Sequence, residues 1–264
     1  MQITVLAENK AGKGAYAAEH GLSLHIVHGE YTVLFDTGQS GLFSENALKA
    51  GTDITSVHAS VLSHGHYDHA GGLPRFMELN CRARIFMKKE ALIPKYSADG
   101  RFIGTDLQAD KERFSFIDKQ FELTEGLWII PSIEIFDQDD TNCSGFFIDD
   151  GQDLRADMFE DELFLAAMTE EGLTVITGCS HRGITNIVHT AKRIFKSPVA
   201  AAIGGFHLKA RSADEVRRKA LALKKAGLKR IETGHCTGRE SLRELKEVFG
   251  AGLGELFCGK KIKI

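Results

Sequence analysis

The sequence has 264 residues and a formal net charge of -3, from 33 basic and 36 acidic side chains. Hydrophobic residues make up 43% of the chain and charged residues 26%, as in soluble globular proteins, so a substantial core can form without disulfides. The acidic balance excludes a general nucleic-acid or membrane surface, and no apolar stretch approaches the roughly 18 residues of a membrane span. We therefore expect one domain over residues 1–264, with neither nucleic acid nor membrane as a partner.

The five cysteines are odd in number and form no CxxC pair. This argues against a disulfide framework and indicates a reducing compartment. The N-terminus lacks a basic region followed by an apolar one, so we expect no signal peptide. These features predict a cytoplasmic protein, and a homo-oligomer is compatible with the sequence.

The first half of the chain is dominated by short β-rich runs that form hairpins. Gly51 is a natural residue to follow a helix, and Pro74 is tolerated in a first helical turn. The polar, turn-rich pattern at about 94–121 indicates an insertion or lid. Strands are predicted over 1–7, 22–28, 31–35, 59–62 and 84–87, and helices over 43–50 and 73–79.

The second half alternates strands with helices, which predicts sheets covered by helices in a layered α/β or α+β domain. The helices show amphipathic spacing, and Gly227 follows the second of them. Strands are predicted over 127–130, 133–136, 163–168, 173–177, 199–203, 230–233 and 255–264, and helices over 184–195, 213–226 and 239–249.

A dense group of metal-ligand side chains directly follows the predicted strand at 59–62. It comprises His64, His66, Asp68 and His69. Imidazole nitrogens and carboxylate oxygens are common ligands of zinc and similar ions, and alternate residues of an extended segment share a face. We expect the first two residues to face one metal position and the last two to face a second. Solvated loop histidines are the alternative interpretation, which this density of ligands disfavours.

The spacing of this group resembles the HxHxDH signature of the metallo-β-lactamase superfamily, and the resemblance covers nearly the whole chain. It implies an α/β (α+β) fold, a four-layer αββα sandwich of two mixed sheets with helices on the outer faces. It also implies that Asp36, which follows a strand, orients the metal-binding loop, with a turn or cap role as the alternative. We expect Gly65 to let the backbone turn sharply.

Three later histidines stand beside glycine at predicted strand ends, where α/β proteins build their sites. His235 matches the last metal-binding histidine of the superfamily, and we expect His181 to be a ligand as well. His207 is either a further ligand or an acid-base group or substrate contact. The remaining histidines are assigned to surface or satisfied core positions: His20, His25, His28, His58 and His189.

The usual bridging aspartate of the superfamily has no counterpart, because the matching run is Gly178-Cys-Ser-His181. Either Cys179 or His181 substitutes for it, or the second metal site is weaker, so we expect one or two divalent ions of zinc, manganese or iron. We interpret Cys179 and Cys236 as small residues at strand ends, with thiolate ligation as the alternative. An exposed acidic turn is predicted for Asp157, Asp161 and Glu162, with the supply of a carboxylate to the metal site as the alternative.

The runs at 177–186, 203–208 and 233–238 occur in order and resemble one branch of the superfamily. That branch contains proteins like 7,8-dihydropterin-6-yl-methyl-4-(β-D-ribofuranosyl)aminobenzene 5′-phosphate synthase, whose activity joins a pterin diphosphate to an arylamine ribosyl phosphate, as a dihydropteroate synthase does. The resemblance implies a metal-dependent hydrolase or a dihydropteroate synthase-like transferase. Its substrate would be a phosphorylated or diphosphate-bearing small molecule.

Each candidate residue is thereby given a role. Asp68 and His207 are the predicted catalytic residues, and Asp68 is also expected to orient the nucleophilic water. The substrate phosphate is assigned to Arg182, Lys95 or Arg101. The predicted metal ligands are His64, His66 and His181 for the first ion and Asp68, His69 and His235 for the second.

Three other classes of protein fit the sequence less well. An iron-dependent redox enzyme on the same fold would favour a full set of bridging carboxylates, which this chain lacks. An RNA-processing enzyme is disfavoured by the acidic charge. A non-catalytic protein with a structural metal is disfavoured because the candidate ligands outnumber those of a closed structural site.

Overall fold

The structure, a computed structural model, describes residues 1–107 and 111–264. The chain divides into two compact units. The first unit comprises Met1–Asp118, Cys143–Leu163 and Phe257–Lys263, and the second comprises Lys119–Asn142, Phe164–Leu256 and Ile264. The single domain expected over 1–264 stays a prediction. Among the described residues, no helix combines the length and apolar character needed to cross a membrane.

A seven-stranded mixed sheet forms the centre of the first unit, with the strand order β17-β1-β2-β3-β4-β5-β7. The β1-β2-β3 meander is antiparallel, whereas β3, β4, β5 and β7 run parallel. A second, three-stranded sheet has the order β11-β10-β6. The strands are β1 (Gln2–Ala7), β2 (Ser23–His28), β3 (Tyr31–Phe35), β4 (Ala59–Val61), β5 (Arg84–Met87), β6 (Lys95–Ser97), β7 (Phe114–Phe116), β10 (Phe146–Asp149), β11 (Leu154–Ala156) and β17 (Lys261–Lys263).

The described residues of the first unit form three α-helices: α1 (Leu42–Ala50), α2 (Tyr67–Ala70) and α3 (Leu73–Leu79). Helix α1 ends at Gly51, whose φ of 71° lies in the left-handed region that glycine adopts without steric cost. Helix α3 carries proline in its first turn. Phe43 and Phe76 of these helices join Leu34 in one buried hydrophobic cluster, which fixes the helices against the sheet.

A second seven-stranded sheet forms the centre of the second unit, with the order β16-β15-β14-β13-β12-β9-β8. Strands β13 to β16 are parallel, and β12 pairs antiparallel with β13 and β9. The elements are β8 (Phe121–Thr124), β9 (Leu127–Ile130), β12 (Phe164–Thr169), β13 (Gly172–Thr177), α4 (Ile184–Phe195), β14 (Val199–Gly205), α5 (Ala213–Ala226), β15 (Arg230–Gly234), α6 (Arg239–Phe249) and β16 (Leu253–Glu255).

The helices of the second unit bury their apolar faces in one hydrophobic cluster with the sheet. Ile187, Val216 and Leu245 represent the three helices in that cluster. Helix α5 begins with a capping box, in which Ser212 and Glu215 bond reciprocally to each other's backbone N–H groups. The two mixed sheets with helices confirm the predicted fold class.

Three predicted elements differ from the structure. No strand forms over 133–136, because the N–H groups of Glu134, Phe136 and Asp137 bond to side chains of α4 instead of to a neighbouring strand. The strand predicted over 255–264 is divided between β16 and β17, which belong to different sheets. The described part of the predicted lid at 94–121 supplies β6, β7 and β8 to three sheets; residues 108–110 of that prediction lie outside the described residues.

Candidate metal centre

The predicted ligands of the first unit lie together in the turn that follows β4. His64, His66, Asp68 and His69 are all buried. The ring of His64 has its centroid 4.8 Å from that of His66 and 4.3 Å from that of His69. A carboxylate oxygen of Asp68 lies 3.8 Å from Nε2 of His69. Asp68 and His69 belong to the short helix α2, whereas His64 and His66 precede it.

Asp36 fixes the orientation of this loop through both of its carboxylate oxygens. Its Oδ1 accepts the backbone N–H of Ser63 at 2.7 Å, and its Oδ2 accepts the Ser63 hydroxyl and Nδ1–H of His69, each at 2.7 Å. The Ser63 hydroxyl lies 2.9 Å from Nδ1 of His64. Because its single proton goes to Asp36, that hydroxyl accepts from His64. Both imidazoles therefore carry their lone pair on Nε2, the nitrogen that a metal would bind.

Burial favours the neutral form of two of these imidazoles, His64 and His66. Burial lowers the pKa of His66 to about 3. Burial, followed by the neighbouring His69 and His66, lowers the pKa of His64 well below its usual value. A neutral imidazole offers a lone pair to a cation without first losing a proton. This donor set of imidazoles and a carboxylate therefore fits a divalent metal.

A buried ion triad supports the same loop from the side. Asp161 accepts the backbone N–H of Gly65 at 2.7 Å. The ammonium of Lys95 lies 3.1 Å from Asp161 and 3.0 Å from Asp157, and all three side chains are almost completely buried. Burial tends to raise the pKa of Asp161, but Lys95 and the Gly65 N–H outweigh burial and lower it. These carboxylates are therefore not the exposed acidic turn that we expected, and Lys95 does not present an exposed ammonium to a substrate phosphate.

Gly65 lies in the bend after β4, and the structure adds a second reason for glycine there, which is a close backbone approach. A Cβ at this position would lie 2.0 Å from the carbonyl oxygen of Ala91. Gly65 is absent from the residues with positive φ. Any side chain here would push the histidine loop away from the segment that follows β5.

His20 reaches the loop although nothing in the sequence pointed to it. Its Nε2 lies 3.2 Å from a carboxylate oxygen of Asp68, while its side chain is 52% exposed. The sequence predicts a surface or satisfied core position for this histidine, and the contact with Asp68 adds to that prediction. The contact joins residues 48 positions apart, so no local spacing could have indicated it.

The predicted ligands of the second unit stand where three parallel strands end. Cys179 and His181 follow β13, His207 follows β14, and His235 and Cys236 follow β15. The carboxyl ends of adjacent parallel strands meet at one edge of a sheet. The rings of His181 and His207 lie with centroids 4.3 Å apart. The second unit thus gathers residues that are distant in sequence.

His181 is held by the loop that precedes β10. Its carbonyl accepts the N–H of Asn142 at 2.7 Å, and its Nδ1 lies 3.3 Å from the carbonyl of Asn142. Neighbouring Asp140 accepts the N–H and hydroxyl of Thr185 at the start of α4 and pairs with Lys219 at 2.8 Å. The loop is therefore anchored at both α4 and α5.

The two remaining phosphate candidates differ in their surroundings. Arg182 is half-buried and donates to the carbonyl of Ile133 at 3.1 Å. Arg101 is exposed in the turn after β6. Their role towards a phosphate stays a prediction.

Comparisons with known proteins show the family to which the chain belongs. The family model of the metallo-beta-lactamase superfamily matches residues 18–131. The 7,8-dihydropterin-6-methyl-4-(beta-D-ribofuranosyl)-aminobenzene-5'-phosphate synthase of Methanocaldococcus jannaschii is 33% identical over 285 residues, which cover 100% of this chain and 96% of the relative. This chain belongs to the metallo-β-lactamase superfamily. A second M. jannaschii protein, the uncharacterised MJ0448, is 30% identical over 93% of this chain and 94% of its own length.

The superfamily assignment extends to solved structures. Tm1679, a metal-dependent hydrolase of the β-lactamase superfamily, has a TM-score of 0.90 and 34% sequence identity, covering 100% of this chain and 99% of its own. A diphosphatase of the PhnP family has a TM-score of 0.55 at 15% identity, covers 100% of this chain and 97% of its own, and shows the fold alone. Proteins that share this fold catalyse many different reactions, so the fold alone does not identify the reaction of this protein.

Proposed function

We propose that this protein is a metal-dependent enzyme acting on a small molecule that carries a phosphate or diphosphate. The observation that supports the proposal most is a buried loop that contains three imidazoles and the carboxylate of Asp68. Hydrogen bonds from Asp36, one of them through Ser63, orient two of these imidazoles. Ligands held in place by hydrogen bonds from behind are the pattern of a catalytic metal centre. The phosphorylated product in the name of the M. jannaschii relative supports the substrate class.

We assign one metal position to His64, His66 and His181, and a second to Asp68, His69 and His235. Cys179 and His207 are further candidate ligands, and zinc, manganese and iron all suit the imidazole and carboxylate donors. When bound, a divalent ion supplies Lewis-acid polarisation of a phosphoryl oxygen and neutralises a departing diphosphate.

The side chains of the protein supply the proton transfers and the positioning. Asp68 orients the attacking group through its carboxylate, which His20 contacts at 3.2 Å. His207 serves as an acid-base group at the end of β14. Arg182 and Arg101 are the candidates to hold a substrate phosphate. The proposal includes a small-molecule substrate, a cytoplasmic location and no nucleic-acid or membrane partner.

Two reactions fit this assignment, and each is supported by one similar protein. In the synthase reaction, the amine nitrogen of an arylamine ribosyl phosphate forms a bond to the pterin methylene carbon while diphosphate departs. In hydrolysis, water takes the place of the amine. The M. jannaschii relative is named as a synthase, and Tm1679 is described as a hydrolase.

The test is an assay of metal-loaded protein with a pterin diphosphate, with and without the arylamine ribosyl phosphate, together with a panel of phosphoesters. A carbon–nitrogen product indicates the transferase, and product formed without the amine indicates the hydrolase. His66→Ala should abolish metal-dependent turnover with the fold retained. His58→Ala, an exposed histidine that contacts Thr32, is the control and should leave turnover unchanged. Full activity of His66→Ala would refute the proposal.

A further inference from the structure

Two thiols and an imidazole come together at the carboxyl ends of β13, β14 and β15. The ligand atoms of Cys179, His207 and Cys236 all lie within 4.8 Å of one another. The three residues are far apart in the sequence, but the parallel strands before them are direct neighbours in one sheet. The whole group belongs to the second unit.

The backbone around Cys236 is shaped to admit its sulfur. A Cβ on Gly205 would lie 2.6 Å from Sγ of Cys236 and 3.4 Å from Cδ2 of His235. Only glycine at the end of β14 lets the thiol approach this closely. The backbone N–H of His207 donates to the same sulfur at 3.2 Å, which favours the thiolate form that binds metals.

The turns that carry these donors hold unfavourable backbone conformations. Ser180, next to Cys179, has a φ of 62°, His207 has 46° and His235, next to Cys236, has 47°. Residues with a Cβ adopt this left-handed region at a cost in free energy, and such strained positions cluster at functional sites. Because three such residues occur at successive strand ends, we infer that the surrounding structure holds these side chains in place despite the unfavourable backbone conformation.

We propose that Cys179, His207 and Cys236 form a sulfur-containing cation site, which binds a thiophilic ion such as Zn²⁺ in preference to Mg²⁺ or Mn²⁺. Thiolate and imidazole bind zinc at about 2.3 Å and about 2.0 Å in a tetrahedral arrangement, so their donor atoms lie roughly 3.5–3.8 Å apart. The observed group meets that spacing with side-chain shifts of about 1 Å or less. Soft sulfur ligands select zinc over the harder ions, which prefer oxygen.

The proposal takes up thiolate ligation, which the sequence left as the alternative to interpreting both cysteines as small residues at strand ends. Sequence patterns could not place the two sulfurs together, because 57 positions separate them. The proposal shares Cys179 and His207 with the proposed function, in which they are candidate ligands, but it uses no residue of the first unit and requires no turnover. The two proposals can therefore be tested separately.

Spectroscopy with Co²⁺ as the probe tests the site under reducing conditions. We expect the wild-type protein to show a cobalt–thiolate charge-transfer band in the near ultraviolet. The band should weaken in Cys179→Ser and in Cys236→Ser, and disappear in the double variant. Each single change should weaken Zn²⁺ binding by about tenfold or more, because even the loss of an outer partner of a ligand has that effect.

Cys258→Ser is the matched control, because Cys258 is a buried thiol of the first unit whose sulfur bonds to the carbonyl of Glu8. It should keep the full band. His66→Ala should also keep it, which separates this site from the histidine loop. His207→Ala should retain a thiolate band with weaker Zn²⁺ binding, and circular dichroism verifies that every variant is folded.

Co²⁺ bound without a thiolate band in the wild type would overturn the proposal, as would a band that survives in the double cysteine variant. Loss of the band in His66→Ala would equally overturn it. A protein that shows the band but turns over none of the tested substrates would refute the proposed function and leave this site standing.

Discussion

At the level of single residues, Asp36 connects the strand β3 to two imidazoles of the histidine loop. It contacts His69 directly and reaches His64 through the hydroxyl of Ser63. The φ of Asp36, 56°, places it in the left-handed region that residues with a Cβ seldom adopt. Its conformation, burial and hydrogen bonds together favour an orienting role over that of a simple turn residue.

We expect Asp36→Asn to weaken Zn²⁺ binding by about 10–100-fold, because the amide nitrogen of asparagine cannot accept the hydrogen bonds that fix His69 and Ser63. Competition against a chromophoric chelator measures the affinity. Asp53→Asn is the control, since Asp53 only caps a short exposed helical turn at Thr55. Equal affinity of the Asp36 variant and the wild type would refute the orienting role.

At the level of elements, the triad of Lys95, Asp157 and Asp161 connects strand β6 and the segment before β12 to the histidine loop. Its cation lies between two carboxylates, and one of these bonds to Gly65 between the two histidines. Removal of one member of a buried charge group leaves the others uncompensated. The position of the histidine loop therefore depends on three buried charges that also contribute to the stability of the folded protein.

Lys95→Met should lower the free energy of unfolding by about 3–5 kcal/mol, because two carboxylates would stay buried without their cation. Urea unfolding followed by circular dichroism measures the loss. Arg155→Met is the matched control, because Arg155 pairs with Asp150 at the surface at 3.0 Å, with 45% of its side chain exposed. Exposed pairs contribute about 1 kcal/mol or less. Similar losses in both variants would contradict a special role for the triad.

At the level of the whole molecule, metal binding should be linked to folding. Ligands that bind only the folded protein raise its stability by an amount set by their concentration and affinity. The buried histidines and carboxylate of the first unit exist as a set only in the folded chain, since the hydrogen bonds that orient them span 27 and 33 residues. A bound ion therefore acts on the global unfolding equilibrium.

Zn²⁺ at about 100 times its dissociation constant should stabilise the protein by about 2.7 kcal/mol and raise its melting temperature. A chelator should reverse the rise. The shift should shrink in His66→Ala, which removes a proposed ligand, and persist in His58→Ala. Differential scanning calorimetry gives the comparison. A wild-type melting temperature that is indifferent to both Zn²⁺ and chelator would show that no folded-state metal site exists.

The amino-acid sequence alone determined those features that depend on neighbours along the chain. Helices α4, α5 and α6 have the predicted bounds, because amphipathic spacing and capping residues are local signals. The histidine cluster was recognised for the same reason, since its four ligands fall within six positions. The superfamily resemblance followed from that run and is confirmed by the comparisons.

Tertiary structure alone decided which side chains are buried together. The sequence predicted Lys95 to be an exposed lid residue, but it is buried and paired with a carboxylate 62 positions away. No strand forms over 133–136, because this segment bonds to Asn186 and Thr190 of α4. The contacts of Ser63 with Asp36 and of His20 with Asp68, and the closeness of Cys179 to Cys236, likewise come from the tertiary structure. Burial and hydrogen-bond partners depend on contacts between distant segments, and the local periodicity of a sequence carries no record of those contacts.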